Sequence, residues 1–510
     1  MYHPNLNEYK KLVKLGNLIP VYREILADTD TPVSAYMKML QSPILASSND
    51  LWVSSHDSFL LESLSNNETW ARYSFIGLSP KKIIKSWDAL VEISQAGHEP
   101  IIKHFDDPIT ALKQELSLYT PVAIEGLPPF YGGLVGYIGY ENVKYFERCP
   151  DSNKSGVPIP DMCFLLTDSL LIFDHQRLTI KIVVNTITAE DVNPEDAYND
   201  AIKKINQIEH CLRHKNIDYK TCTPISNNNG DIAYSSSFAS KQDFMDAVEK
   251  SKEYIKAGDI FQVVLSQRFN TQSNIDPFNI YRALRIINPS PYMFYLNLND
   301  VKIVGASPEI LVRKRKDKVI LRPIAGTRKR GRNEDEDISL EKELLTDPKE
   351  LAEHIMLVDL GRNDLGRVAR VGSIKINKLK FIERYSHVMH IVSDIEGTLE
   401  QGLDAFDVLR ACFPAGTVTG APKVRAMEII NELEPVKRGP YAGAVGYFSF
   451  SGDMDTCITI RTLFVKDDQI YFQAGAGIVA DSIAENEFEE TLNKARAVMR
   501  AIKMAKEELS

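Results

Sequence analysis

What most constrains the fold of this chain is how its β-rich runs are joined. Leu170–Phe173 and Leu178–Val184 are separated only by Asp174-His-Gln-Arg177. Glu309–Lys314 and Val319–Ile324 flank Arg315-Lys-Asp-Lys318, and Ala442–Phe450 and Thr456–Val465 flank Ser451-Gly-Asp-Met-Asp455. Links this short join antiparallel neighbours, because a parallel crossover needs a dozen or more residues. Ile260–Ser266 is a further β-rich run. Helical patterns stand outside the hairpins. Ser240 and Asp243 form a capping-box pattern opening a helix with Phe244, Val248 and Ile255 inward, which stops near Gly258. Pro348 and Pro422 suit the first turns of helices through about Leu360 and Leu433. Ala484 to about Lys506 carries an apolar stripe of Phe488, Leu492, Ala495, Met499 and Ile502. Hairpins outnumber βαβ units. The expected fold class is therefore α+β, a large body of antiparallel β-sheets with helices on the outside.

The chain is long enough for one large core or several domains, with 510 residues of which 44% are hydrophobic. The polar, turn-rich stretch 213–240 reads as a linker or long surface loop. It separates an N-terminal region, 1–212, from a region at 241–510, and the first is expected to pack into the body of the second. No internal repeat stands out. The net charge of −9 argues against general nucleic-acid or anionic-membrane binding. The basic run Arg328-Lys-Arg-Gly-Arg332 reads as a solvated loop or an anion contact. Neither a signal peptide nor a membrane span is expected. The six cysteines contain no C-x-x-C pair and read as reduced thiols in a cytoplasmic protein. His387 and His390 lack partners at zinc-site spacing.

Two glutamate pairs stand out, Glu350 with Glu353 and Glu487 with Glu490. At i, i+3 spacing each pair shares one helix face. Clustered like charges can be solvated faces of an acidic protein. Occurring twice, they suggest a hard cation between two helices, and Mg²⁺ needs only one or two protein carboxylates. Three small-residue turns, Pro323–Thr327, Pro414–Pro422 and Gln473–Ile478, could bring backbone N–H groups to an anion or be ordinary turns. Arg461 lies in an apolar strand, Cys457–Leu463. It must face solvent or pair with an anion.

These segments resemble the chorismate-utilising enzymes, and within them the anthranilate synthase large-subunit group. The resemblance is dense from about Ser240 to Lys506. It rests on Gly258-Asp-Ile-Phe-Gln-Val-Val-Leu-Ser266, Gly305-Ala-Ser-Pro-Glu309, Arg322-Pro-Ile-Ala-Gly-Thr327, Asp359-Leu-Gly-Arg-Asn-Asp364, Ser386-His-Val-Met-His390, Gly420-Ala-Pro-Lys-Val-Arg-Ala-Met-Glu428 and Gly475-Ala-Gly477. It is sparser before that, at Leu60–Ser63 and Arg72–Gly77. It implies Glu353 and Glu490 as Mg²⁺ ligands, with Glu350 and Glu487 beside them. It implies Tyr441, Arg461 and the backbone of Gly475, Ala476 and Gly477 at the enolpyruvyl carboxylate, Gly326 and Thr327 as ring contacts, and Thr417 and Lys494 as further substrate-binding residues. His390 matches a histidine tied to pyruvate elimination, and Glu309 matches the acid that protonates the departing hydroxyl. Gln262 stands where water-activating relatives have lysine, and Ala325 where a covalent amine would stand, which leaves ammonia as the nucleophile. No cysteine sits in a glutaminase elbow, so a separate glutamine amidotransferase subunit is implied, in a heterotetramer of two large and two small subunits. Ser63, Pro291, Tyr292 and Met293 match a tryptophan feedback site. The rival readings are an aminodeoxychorismate synthase and a non-catalytic tryptophan-sensing subunit.

Overall fold

The computed structural model describes residues 1–41, 57–64, 72–149, 151–188, 192–214, 232–385 and 388–509. Residues 215–231 of the expected linker lie outside this set, as do Ser386 and His387. Among the described residues, two antiparallel sheets of 13 and 12 strands pack face to face. The strands before the linker region are β1 (Tyr2–His3), β2 (Leu18–Leu26), β3 (Ser58–Glu62), β4 (Tyr73–Leu78), β5 (Lys82–Trp87), β6 (Leu90–Gln95), β7 (Ile101–His104), β8 (Gly133–Ile138), β9 (Met162–Thr167), β10 (Ser169–Asp174) and β11 (Thr179–Ile187). Those after it are β12 (Ser235–Ser236), β13 (Gln262–Gln272), β14 (Tyr292–Leu298), β15 (Val301–Ser307), β16 (Ile310–Arg315), β17 (Lys318–Leu321), β18 (Ile324–Lys329), β19 (Lys375–Arg384), β20 (Val388–Thr398), β21 (Gly420–Ala421), β22 (Ala444–Ser449), β23 (Met454–Ile458), β24 (Thr462–Lys466) and β25 (Gln469–Ile478).

One sheet runs 1-2-11-10-4-3-14-15-24-25-13-12 and the other 18-20-17-16-23-22-8-9-5-6-7. Both are continuous across the two halves of the chain. The first is joined at β3–β14, with Met293 opposite Glu62, and the second at β8–β22, with Gly446 opposite Gly136. Read outward from these junctions, the second half repeats the first. Strands 1 to 6 correspond to 12 to 17, 7 to 20, and 8 to 11 to 22 to 25. The helices repeat too: Leu6–Leu12 answers to Lys241–Ala257, Pro32–Leu40 to Pro277–Ile287, Ile109–Ser117 to Ala405–Cys412, and Pro194–His214 to Ala484–Glu508. A trace of this is in the sequence after all. Tyr131-Gly-Gly-Leu-Val-Gly-Tyr137 parallels Tyr441-Ala-Gly-Ala-Val-Gly-Tyr447. The expectation of no internal repeat is corrected accordingly.

The hairpin runs form as expected where both strands stay in one sheet. Successive side chains of Leu170–Phe173 alternate between two cores: Leu170 and Ile172 point between the sheets, and Leu171 and Phe173 point under the outer helices. Burial on both faces explains the unbroken apolar run. The expected strand Thr456–Val465 is instead broken. β23 ends at Ile458 in one sheet and β24 begins at Thr462 in the other, with Arg461 at the crossing in the left-handed region, φ 52°. Two of the expected small-residue turns are also strands. Gln473–Ile478 ends β25, and Ile324–Thr327 begins β18. No helix among the described residues is long and apolar enough to cross a membrane.

Candidate active site

Among the described residues, the second half carries insertions that the first lacks: β18, the helices Glu334–Thr346, Pro348–Gly366 and Lys423–Leu433, the turn Gly416–Val418, β19 and β21. These surround the open end of β25. β24 pairs with β25 only from Phe472 to Gln469, so Gln473–Ile478 faces β13 on one side and, among the described strands, no neighbour on the other. Gly475 turns its carbonyl to that open side, where Lys494 Nζ donates to it at 3.0 Å. Gly477 points the same way by strand alternation and Ala476 the other, its side chain fully buried.

Arg461 closes the open side. Its Nη1 donates to the Lys494 carbonyl at 3.1 Å, and among the described residues it makes no ion pair with a carboxylate. Burial pulls its pKa below the usual arginine value. A desolvated guanidinium without a carboxylate is suited to an anionic ligand. The Tyr441 hydroxyl reaches the same spot: a Cβ placed on Gly475 would lie 2.8 Å from it. Lys494 also pairs with Glu490 at 2.5 Å.

The two glutamate pairs lie on the helices expected for them, Pro348–Gly366 and Ala484–Glu508. Gln262 Nε2 donates to Glu353 at 3.1 Å, which orients that carboxylate. Arg328 donates to Glu350 at 3.0 Å, to Asp347 at 2.7 Å and to Glu343 at 2.8 Å. Of the two readings of the basic run, a solvated loop or an anion contact, Arg328 meets the second and braces Glu350. Burial, and then Glu353, push the Glu350 pKa up. Burial, and then Glu490, do the same to Glu487. Among the described residues no three acidic, histidine or cysteine groups stand close enough together to enclose a metal.

Gly326 and Thr327 face His390 across the β18–β20 ladder. Gly326 sits at φ 74°, which favours glycine. His390 Nδ1 lies 3.0 Å from the Gly326 carbonyl and 3.0 Å from Thr327 Oγ1. A carbonyl can only accept, so Nδ1 carries the hydrogen and Nε2 keeps its lone pair. Burial, with Arg461 nearby, lowers the His390 pKa and keeps the ring neutral. Ala325 is buried and offers no amine. Glu309 is buried, with the Thr417 hydroxyl beside it. Burial pushes its carboxyl up to about 8.

The other expected cluster also assembles, at the junction of the halves. Ser63, Pro291, Tyr292 and Met293 line one cavity of about 1070 Å³. Its wall holds a network that the sequence reading missed. Tyr292 donates to Asp455 at 2.9 Å, Arg313 pairs with Asp455 at 2.6 Å, and Arg315 donates to the Tyr447 hydroxyl at 2.7 Å. The recurring Tyr-x-Gly-x-Val-Gly-Tyr pattern was the available signal for Tyr447.

A desolvated guanidinium, two glutamate pairs and a buried carboxylic acid thus gather around one open strand end, an arrangement suited to a small anionic ligand. Residues 58–500 match the chorismate binding enzyme family, and the chain belongs to it. Within that family it is 46% identical to the anthranilate synthase component 1 of Acetivibrio thermocellus over 511 residues, covering 99% of this chain and 100% of the relative. It is 46% identical to that of Aquifex aeolicus over 513 residues, covering 99% and 98%. The crystal structure of anthranilate synthase component I from Streptococcus pneumoniae shares the fold with a TM-score of 0.75 at 36% identity, covering 93% of this chain and 99% of that one. The first half differs at the matching place. The positions there equivalent to Arg461 and Lys494 are Asp168 and Lys204, which pair with each other at 3.3 Å.

Proposed function

We propose that this chain converts chorismate and ammonia to anthranilate, pyruvate and water. The observation that carries the reading is Arg461, desolvated beside Tyr441, Lys494 and the open Gly475 edge, where a substrate carboxylate would complete it. Ammonia adds to the ring as the C4 hydroxyl departs. Glu309, still protonated near neutral pH, supplies the proton that lets the hydroxyl leave as water. The aminated ring then loses pyruvate. His390 Nε2 is the free base for that second step, with Nδ1–H anchored on Gly326. Gln262 and Ala325 offer no basic amine, which favours ammonia over water or a lysine as the nucleophile.

Glu353 and Glu490 would hold Mg²⁺, with Glu350 and Glu487 behind them. The hard carboxylate oxygens of the two pairs fit a hard cation, and burial together with the neighbouring carboxylate raises the proton affinity of Glu350 and Glu487. When bound, Mg²⁺ would neutralise the ring carboxylate of the substrate. A separate glutamine amidotransferase would supply ammonia in a heterotetramer, in the cytoplasm, and tryptophan would occupy the junction cavity.

The test is to incubate the pure chain with chorismate, Mg²⁺ and either ammonium or glutamine. Fluorescent anthranilate with equimolar pyruvate is expected from ammonium alone, and from glutamine only after an amidotransferase is added. An aminated product that keeps its pyruvyl group would point to aminodeoxychorismate formation. Turnover of glutamine by the chain alone would remove the partner from the reading.

A further inference from the structure

Tyr441 is delivered by a turn that the other half of the molecule holds. The chain runs from the helix Lys423–Leu433 through Arg438 and Gly439 into β22. From the first half, the 3₁₀ turn Tyr140–Tyr145 lies across it. Glu141 Oε1 accepts the Arg438 backbone N–H at 2.7 Å, and Glu141 Oε2 accepts that of Gly439 at 3.0 Å. Tyr140 N donates to the Gly439 carbonyl at 2.8 Å. Across the duplication the position of the Gly439 carbonyl falls to that of Pro129, which accepts instead from the Ser449 and Ser451 hydroxyls at 2.8 and 3.0 Å.

The Arg438 side chain spreads the effect. It is 2% exposed. Its guanidinium lies 4.8 Å from the Tyr140 ring centre and 5.5 Å from that of Tyr441. It donates to the Val418 carbonyl beside Thr417 and to the Val264 carbonyl of β13, both at 2.8 Å. It also pairs with Glu434, which accepts the Ser266 hydroxyl at 2.7 Å under the same site. Both ends of the Glu141 carboxylate thus set the backbone from which Arg438 and Tyr441 project.

We propose that Glu141, contributed by the first half, is a positioning residue for substrate binding in the second half, acting through the Arg438–Gly439 backbone on Tyr441. The inference rests on Tyr441 being a substrate contact, as read above. A carboxylate is needed because two backbone N–H groups require two acceptors. Glutamine offers one acceptor and turns its own N–H₂ toward the other donor.

The experiment is a double-mutant cycle on the full chain with saturating ammonium and Mg²⁺, read by anthranilate fluorescence. Glu141→Gln should raise KM for chorismate by roughly 5- to 20-fold and leave kcat within about twofold, the pattern of lost uniform binding. Tyr441→Phe should raise KM about tenfold, and adding Glu141→Gln to it should raise KM by less than about twofold more, because both act through one contact. Glu141→Asp, a shorter carboxylate, should recover part of the loss. If Glu141→Gln fails to fold, Glu141→Asp and Arg438→Lys carry the same cycle. Full additivity with Tyr441→Phe, or a KM for Glu141→Gln within about twofold of wild type, overturns the inference. A normal KM in Tyr441→Phe alone would overturn the substrate-contact reading instead.

Discussion

Glu309→Gln should cripple catalysis yet stabilise the protein at alkaline pH. In the folded chain burial raises the Glu309 pKa from its ordinary 4.5 to about 8. Below pH 4.5 both folded and unfolded states hold the proton, and the full stability is present. Between pH 4.5 and about 8 the unfolded chain releases the proton while the folded chain keeps it. Stability therefore falls as pH rises through this window, and above it the loss is complete. At about 1.4 kcal/mol per pH unit the loss is on the order of 3–5 kcal/mol, the upper end assuming no relaxation on ionisation. An amide of the same shape carries no such penalty. Urea unfolding of both proteins is the assay. The stability gap in favour of the variant should widen by roughly 2–3 kcal/mol between about pH 6 and pH 9. Over the same range kcat/KM should be about 10²–10⁴-fold lower in the variant, the usual worth of a positioned acid. With free ammonia held constant, wild-type kcat/KM should decline above about pH 8. Parallel pH dependence of stability in the two proteins, or a variant with near wild-type turnover, would refute a buried, protonated Glu309.

Glu353→Gln and Glu490→Gln should each remove most activity and weaken Mg²⁺ binding measured by calorimetry, whereas Glu350→Gln and Glu487→Gln should cost only roughly 10–100-fold; unchanged Mg²⁺ binding in Glu353→Gln would rule it out as a ligand. His390→Ala should slow pyruvate loss more than amination, so mass spectrometry should detect an aminated intermediate that retains its enolpyruvyl group. Equal loss of both steps with no intermediate would deny His390 that role. L-Tryptophan should inhibit the wild-type chain, and Ser63→Arg or Met293→Thr, in the wall of the junction cavity, should relieve inhibition with catalysis retained. Absence of tryptophan binding by calorimetry would empty that cavity of its assigned ligand and leave the catalytic reading intact.

The parts of this protein that follow from sequence alone are those set by local rules. Ser240 caps its helix and Gly258 ends it at φ 85°, because capping and left-handed turns depend on a few adjacent residues. The glutamate pairs were legible for the same reason, since i, i+3 spacing places two side chains on one face of any helix. The motifs between Ser240 and Lys506 carried the family. What they could not carry was the joining of distant strands. Nothing in Thr456–Val465 marks the crossing at Arg461, because both sides of it are apolar strand and the chain changes sheets without a glycine or proline. Gln473–Ile478 reads as a loop because its residues are small. It is a strand because β13 pairs with it, and it is open on its other edge because β24 starts only at Thr462. That residues 1–212 pack into the body of 241–510 was expected, but the strands by which they join it were not legible from pattern. β3–β14 and β8–β22 are ladders between residues more than two hundred positions apart, and their register is chosen by the core between the two sheets. Periodicity tells a strand which side is apolar. Only packing tells it which strand to lie beside, and here that choice creates the open edge on which the chemistry depends.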